Sequence, residues 1–122
     1  MRSALYAALS AQYPTYHGSY SGKVGKKPYL FLFMEAEVRT RLKSFTPFSI
    51  YVYADAGDLR ALDAACEAVI SLLRKKTFER VSDSSTFFVE YSGCGADFVD
   101  DEKKAVARQL RFFIPIFGKD FL

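Results

Sequence analysis

Apolar and polar positions recur along this chain with two periods, and the switches between them mark its elements. Leu5, Ala8, Leu9 and Gln12 fall at helical spacing, so residues 2–12 read as a first helix, ended by Pro14. Residues 16–27, "YHGSYSGKVGKK", hold three glycines and three lysines and read as a flexible basic loop, with room for a short strand near its start. From Pro28 the chain turns continuously apolar through "YLFLFM", as in a central strand covered on both faces. Alternation follows, with Ala36, Val38, Thr40 and Leu42 on one face and Glu35, Glu37, Arg39, Arg41 and Lys43 on the other. "SFTP" reads as a break, and "FSIYVY" as the second strand of an antiparallel hairpin.

The helical period then returns. Leu59, Leu62, Cys66, Val69, Ile70 and Leu73 form one apolar stripe. Asp55 is placed to cap this helix, Asp58 adds negative charge at its positive end, and Arg74, Lys75 and Lys76 sit at its negative end. Residues 78–98 read as one short and one longer strand, with Gly93 and Gly95 marking a bulge or bend. "VDDEKK" is a turn, and "AVARQLRFFIPIF" a last strand whose apolar face (Val106, Leu110, Phe112, Ile114, Ile116) is interrupted by Arg108. Pro115 places that point at a sheet edge or near the strand's end. The order predicts a single domain over residues 1–122. Its class is α+β: a mostly antiparallel, mixed sheet with two helices packed on one face.

Composition narrows the picture a little. Hydrophobic residues make up 50% of the chain and charged residues 25%, the balance of a globular protein in water. No apolar run approaches the roughly 20 residues a membrane span needs. The start, "MRSALYAALSAQYP", reads as an amphipathic helix and not as a leader, so no membrane partner and a cytoplasmic site of synthesis are expected. A net charge of +3 permits contact with nucleic acid without requiring it. Cys66 and Cys94 form neither a CxxC pair nor a metal-ligand spacing, so both are expected to be reduced thiols.

Two clusters are candidates for chemistry. Asp97, Asp100, Asp101 and Glu102, followed by Lys103 and Lys104, match the acid-and-lysine composition of metal-dependent nucleases, in which two carboxylates hold Mg²⁺. Three of these acids are consecutive, however, so their side chains point in different directions, as in a solvated turn. Arg39, Arg41 and Lys43, at period two, would line one strand face, either as a solvated surface or as a basic stripe for phosphate or an acidic partner. Lys23, Lys26 and Lys27 add a second basic segment. His17, the sole histidine, has no nucleophile motif beside it, and the glycines at 18, 22 and 25 make no nucleotide-binding fingerprint. No catalytic, cofactor-binding or metal-binding residue is assigned, and no cofactor is implied. The residues point to a binding or assembly protein more than to an enzyme.

One longer pattern is informative. "FSIYVYADAGDLRALDAACEAVISLL", a strand pair, and then "GADFVDDEKKAVARQLRFFIPIF" resemble the tail terminator (tail completion) proteins of long-tailed, lambda-like bacteriophages. The Pro-led strand "KKPYLFLF" and the first helix fit the same order. The resemblance implies a structural virion protein, not an enzyme. Such proteins close into a hexameric ring of identical subunits on the tail tube, stop its polymerisation and offer a docking surface to a head-completion or neck protein. They are assembled in the bacterial cytoplasm, reside at the tail–neck junction, and let genomic DNA pass through the ring. On that reading Lys23, Lys26, Lys27, Arg39, Arg41, Lys43, Asp97, Asp100, Asp101 and Glu102 are candidate interface or lumen residues. The alternatives are another neck or head-closure component, a small metal-dependent nuclease using Asp97, Asp100, Glu102 and Lys104, or a nucleic-acid-binding module.

Overall fold

The computed structural model of the chain describes residues 1–74, 76–79 and 85–116. Eleven elements follow in order: α1 (Arg2–Ser10), β1 (Thr15–His17), β2 (Tyr29–Met34), β3 (Val38–Arg39), β4 (Ser44–Asp55), α2 (Leu59–Leu73), β5 (Thr77–Glu79), β6 (Thr86–Phe88), β7 (Glu90–Cys94), β8 (Phe98–Asp100) and β9 (Ala105–Ile116). The expected α+β class is the one observed. Seven strands form a mixed sheet in the order β1-β2-β4-β9-β7, and β5 and β6 make a small second sheet.

The frame is the antiparallel pair of twelve-residue strands β4 and β9, matched from Ser44↔Ile116 to Asp55↔Ala105. At about 3.3 Å per residue each spans roughly 35–40 Å. The outer side of β4 is shared by β2 and β3, and the outer side of β9 by β7 and β8. Only β1 runs parallel to its neighbour, which makes the sheet mixed.

Period-two alternation sends the residues of β2, β4 and β9 to two different cores. Leu30, Leu32, Ile50, Val52, Leu110, Phe112 and Ile114 face the helices, where Leu5 and Leu9 of α1 and Leu62, Cys66, Val69 and Leu73 of α2 complete the main cluster. Both helices therefore pack on one face, as expected. Tyr29, Phe31, Tyr53, Ala105 and Ala107 face the other way, into a second cluster covered by Tyr16 and Tyr20. The apolar run of β2 from Tyr29 to Leu32 is thus explained by burial on both faces.

The structure corrects several expectations. "SFTP" does not break the chain; Pro47 lies inside β4. Its carbonyl accepts a hydrogen bond from the Glu35 N–H at 3.1 Å. In an extended strand a residue's N and O point to the same side, so the Pro47 nitrogen faces the side where β2 has already ended. The missing donor costs one bond, the return bond to the Glu35 carbonyl, at the point where β2 ends. Pro115 occupies the matching place on β9, past the end of β7 and one residue from the strand's end. The helix cap is also reassigned: Asp58, not Asp55, accepts from the Ala61 N–H at 3.0 Å, while Asp55 ends β4 and pairs with Lys27 at 3.4 Å. Asp58→Ala should cost about 1 kcal/mol in chemical denaturation, and Asp55→Ala clearly less, since Asp55 meets Lys27 from a largely solvent-exposed position. α1 is shorter than expected, stopping at Ser10. Arg74 is the C-cap of α2 and Lys76 follows it; Lys75, the 80–84 link and Phe117 lie outside the described residues. The bulge is present at Gly93, whose φ of +137° is open to glycine and strained for other residues.

The thiols differ sharply in setting. Cys66 is buried in the main core and Cys94 is exposed, and both are free. Burial pushes the Cys66 thiol up to about 11, with the nearby Arg108 cation opposing it. A thiol reagent at pH 8 should therefore modify one cysteine in the folded protein and two after unfolding. Rapid modification of both in the folded state would contradict this packing.

Candidate functional site

The acid-rich segment resolves into two separate arrangements. Asp97 lies in the link between β7 and β8, and there it meets Arg108, the cation that interrupts the apolar row of β9. The Arg108 guanidinium donates through Nε to Asp97 Oδ1 and through Nη2 to Asp97 Oδ2 at 2.9 Å. Nη2 also donates to Asp63 Oδ1 of α2 at 2.8 Å. Arg108 is thus a bracket that ties strand, link and helix, with its own side chain only 20% exposed. The interruption in the sequence pattern marked a real feature. Its partner Asp63, 45 positions away in the chain, was not visible there.

The hydrogen bonds from Arg108 hold the Asp97 carboxyl below the usual carboxylate range, with burial pushing the other way. A depressed carboxyl contributes stability above its unfolded value of about 3.9, and that contribution is lost as pH falls through the lower folded value. Asp97→Asn should therefore be less stable than the parent at pH 6. The gap should close as both are titrated toward pH 2 in urea denaturation series. A gap independent of pH would mean that the bracket is held by packing alone.

The remaining acids form a hairpin tip. Asp100 Oδ1 accepts from the Lys103 N–H at 3.1 Å, and Lys104, at φ +51°, closes the turn into β9. Asp101 and Glu102 point into solvent. Among the described residues, no three His, Cys, Asp or Glu side chains come close enough to share a metal ion. The nuclease geometry requires convergence, and these acids diverge: one is bound to an arginine, one caps a turn, and two are solvated.

The row Arg39, Arg41 and Lys43 is not on one strand face, which corrects the period-two expectation. The chain leaves the ladder after Met34, re-enters for only two residues in β3, and turns at 40–43. That turn is held by Thr40, whose N–H and Oγ1 both donate to the Lys43 carbonyl at 2.7 and 2.8 Å. Arg39 is paired locally with Glu37, and the Lys43 ammonium lies 5.4 Å from the centre of the Phe45 ring. At the tip stands Leu42, 86% exposed. Alternation had grouped Leu42 with Ala36, Val38 and Thr40 on one strand face; the turn at 40–43 takes it out of the strand and into solvent.

Beside this hairpin a recess of about 470 Å³ opens on the sheet face away from the helices, lined by Glu35, Lys43, Phe45, Arg111 and Phe113 among others. Further along the same face Phe33 and Phe98 are each 40% exposed, with Tyr51 packed edge-on against both. Aromatic side chains are therefore partly open to solvent on this face, where burial had been expected. The other basic segment, with Lys23, Lys26 and Lys27, lies at the opposite end of β4, next to Glu102 and Lys103. The two basic segments are thus separated by the length of the long strands.

No family model matches this sequence, and no curated protein matches it. Solved structures do. A chain from the virion of a native gene transfer agent particle superposes with a TM-score of 0.67 at 16% identity, covering 97% of this chain and 95% of the other. A second solved chain, of a protein without a functional name, superposes with a TM-score of 0.59 at 14% identity, over the same shares of both chains. At these identities the likeness is one of fold.

Proposed function

We propose that this protein is a structural component of a phage-like virion, and that it acts as a tail terminator, closing into a ring on the end of the tail tube. The observation that carries the proposal is the full-length likeness of fold to a chain of the gene transfer agent virion. The order of sequence elements, which resembles tail terminators, supports the finer assignment. Three features of the chain suit such work. The acids of the 97–102 cluster are spent on holding the fold or are solvated, which favours binding over catalysis there. One sheet face carries exposed aromatic rings. The charged hairpin at one end and the basic loop with its acidic turn at the other provide two unlike surfaces, as repeated head-to-tail contacts in a ring require.

Partners on this reading are further copies of the chain, the tube protein and a head-completion or neck protein, with DNA passing transiently through the ring. The deciding experiment adds the purified protein to assembled tail tubes and images them by electron microscopy. A ring on one tube end is expected. Attachment to heads but never to tubes would instead assign a head-closure role, and Mg²⁺-dependent cleavage of DNA lost in Glu102→Ala would overturn the structural reading.

A further inference from the structure

Where β4 ends and β9 begins, residues 21–27 form one wall of a recess of about 680 Å³, completed by Tyr29, Asp55, Glu102 and Lys103. Tyr29 is the unusual member. It is 1% exposed, its ring stacks on Tyr53 at 5.2 Å, and its hydroxyl is buried without a hydrogen-bond partner among the described residues. Buried side-chain polar atoms are paired in the large majority of proteins, so an orphan needs a physical account. Burial, reinforced by the neighbouring Tyr53 and Asp100, raises the Tyr29 phenol above its usual value, so it stays protonated and offers an O–H donor. What it lacks is an acceptor.

The surrounding charges indicate which acceptor. Lys27 is only 20% exposed, and Lys103 is half-buried with its ammonium 5.5 Å from the Phe31 ring centre and 5.8 Å from that of Tyr53. Lys23 and Lys26 add two exposed cations on the loop wall. Against these four stand Asp55, which holds Lys27 from a largely exposed position, Glu102, and Asp100, whose charge reaches Tyr29 and Tyr53. The balance is positive, so a metal cation is disfavoured. Ammonium groups are point charges with several donors each, unlike the flat guanidinium fork that matches a carboxylate. A tetrahedral group with several acceptor oxygens can engage a phenol and two or more ammoniums at once.

We propose that this recess binds a phosphate group, with the Tyr29 hydroxyl donating to it and Lys27, Lys103, Lys23 and Lys26 supplying the charge. The site is independent of the virion reading. The same chemistry is offered by free phosphate and by a polynucleotide backbone, and the test separates them. Isotope-labelled protein is titrated with inorganic phosphate, and separately with a short DNA duplex, at ionic strength held constant with chloride, while the amide signals of residues 21–29 are followed. Saturable shifts with millimolar phosphate are expected, weakened at least five-fold in Tyr29→Phe and in Lys103→Gln. Tyr29→Phe keeps the ring and removes only the orphan donor, so without phosphate it should melt no lower than the parent. Shifts with DNA at lower concentration than phosphate identify the backbone as the source; shifts with phosphate alone identify a small ligand. The proposal is overturned if chloride reproduces the shifts, if neither probe produces them, or if Tyr29→Phe binds phosphate as the parent does. A lower melting temperature for unliganded Tyr29→Phe would also overturn it, because the hydroxyl would then be satisfied within the fold.

Discussion

Replacing Phe112 with alanine should destabilise the protein by about 3–5 kcal/mol, the usual cost of deleting a buried phenyl ring. Phe112 lies on the helix-facing side of β9 and is 1% exposed. Its ring stacks on Phe48 of β4 at 5.2 Å and 13°, and Tyr91 of β7 tilts against it at 5.4 Å. Three neighbouring strands therefore meet at this one side chain, and its loss leaves a cavity that none of them can fill alone. Against a total of about 5–15 kcal/mol for an ordinary domain, that is a large fraction. In urea, with a slope of roughly 2 kcal/mol per M, the midpoint should fall by about 2 M with the slope unchanged. The control is Val99→Ala on β8, 65% exposed, which should move stability by no more than about 0.5 kcal/mol. Equal effects at the two positions would mean that the core is not where the strand register puts it.

The sequence disclosed this core because burial leaves a periodic trace. Phe112 and its partners Leu110 and Ile114 were placed on one face by alternation alone, and the α2 stripe by steps of three and four. Contacts between segments distant in the chain leave no such trace. Arg108 was noticeable as an interruption, but its bond to Asp63 depends on how α2 lies across β9. The second cluster was hidden for a related reason. A loop of glycines, lysines and tyrosines gives no period, yet Tyr16 and Tyr20 stack at 4.7 Å and Tyr16 packs on Tyr29 and Phe31. Pro47 misled because proline is read as punctuation, when the cost depends on which side of the strand its nitrogen faces. The cap went to the wrong aspartate because Asp55 and Asp58 are equally suitable in composition. β4 runs through Asp55, which leaves Asp58 at the helix start. The acidic tip was read correctly as a hairpin, since consecutive acids between alternating strands have few other arrangements.

The 39–43 hairpin gives the prediction with the largest functional effect. On the proposed tail-terminator reading, Leu42→Asp should leave the fold intact and strongly weaken attachment to the tail tube. Leu42 is 86% exposed, so its replacement changes folding stability by no more than about 0.5 kcal/mol. An apolar side chain held at the tip of a bonded turn, with Arg41 and Lys43 on either side, has the layout of an interface anchor with a charged rim. Magnitudes decide which member matters more. Exposed ion pairs contribute about 0–1 kcal/mol each, and Arg39 already has Glu37 as a partner within the hairpin. A buried anchor contributes about 2–4 kcal/mol, which is roughly thirty-fold to a thousand-fold in affinity. Leu42→Asp should therefore weaken capping far more than Arg39→Glu alone. Reversing Arg39, Arg41 and Lys43 together subtracts two charges at each position, taking the chain from +3 to −3. That variant should lose capping in low salt and stay defective in high salt, whereas Arg39→Glu should differ from the parent only at low salt. Tube-end occupancy counted in micrographs, beside a urea midpoint for each variant, separates docking from folding. Normal capping by both Leu42→Asp and the triple reversal would show that the hairpin is a solvated turn, and would move the search for the docking surface to the open aromatic face around Phe33, Tyr51 and Phe98.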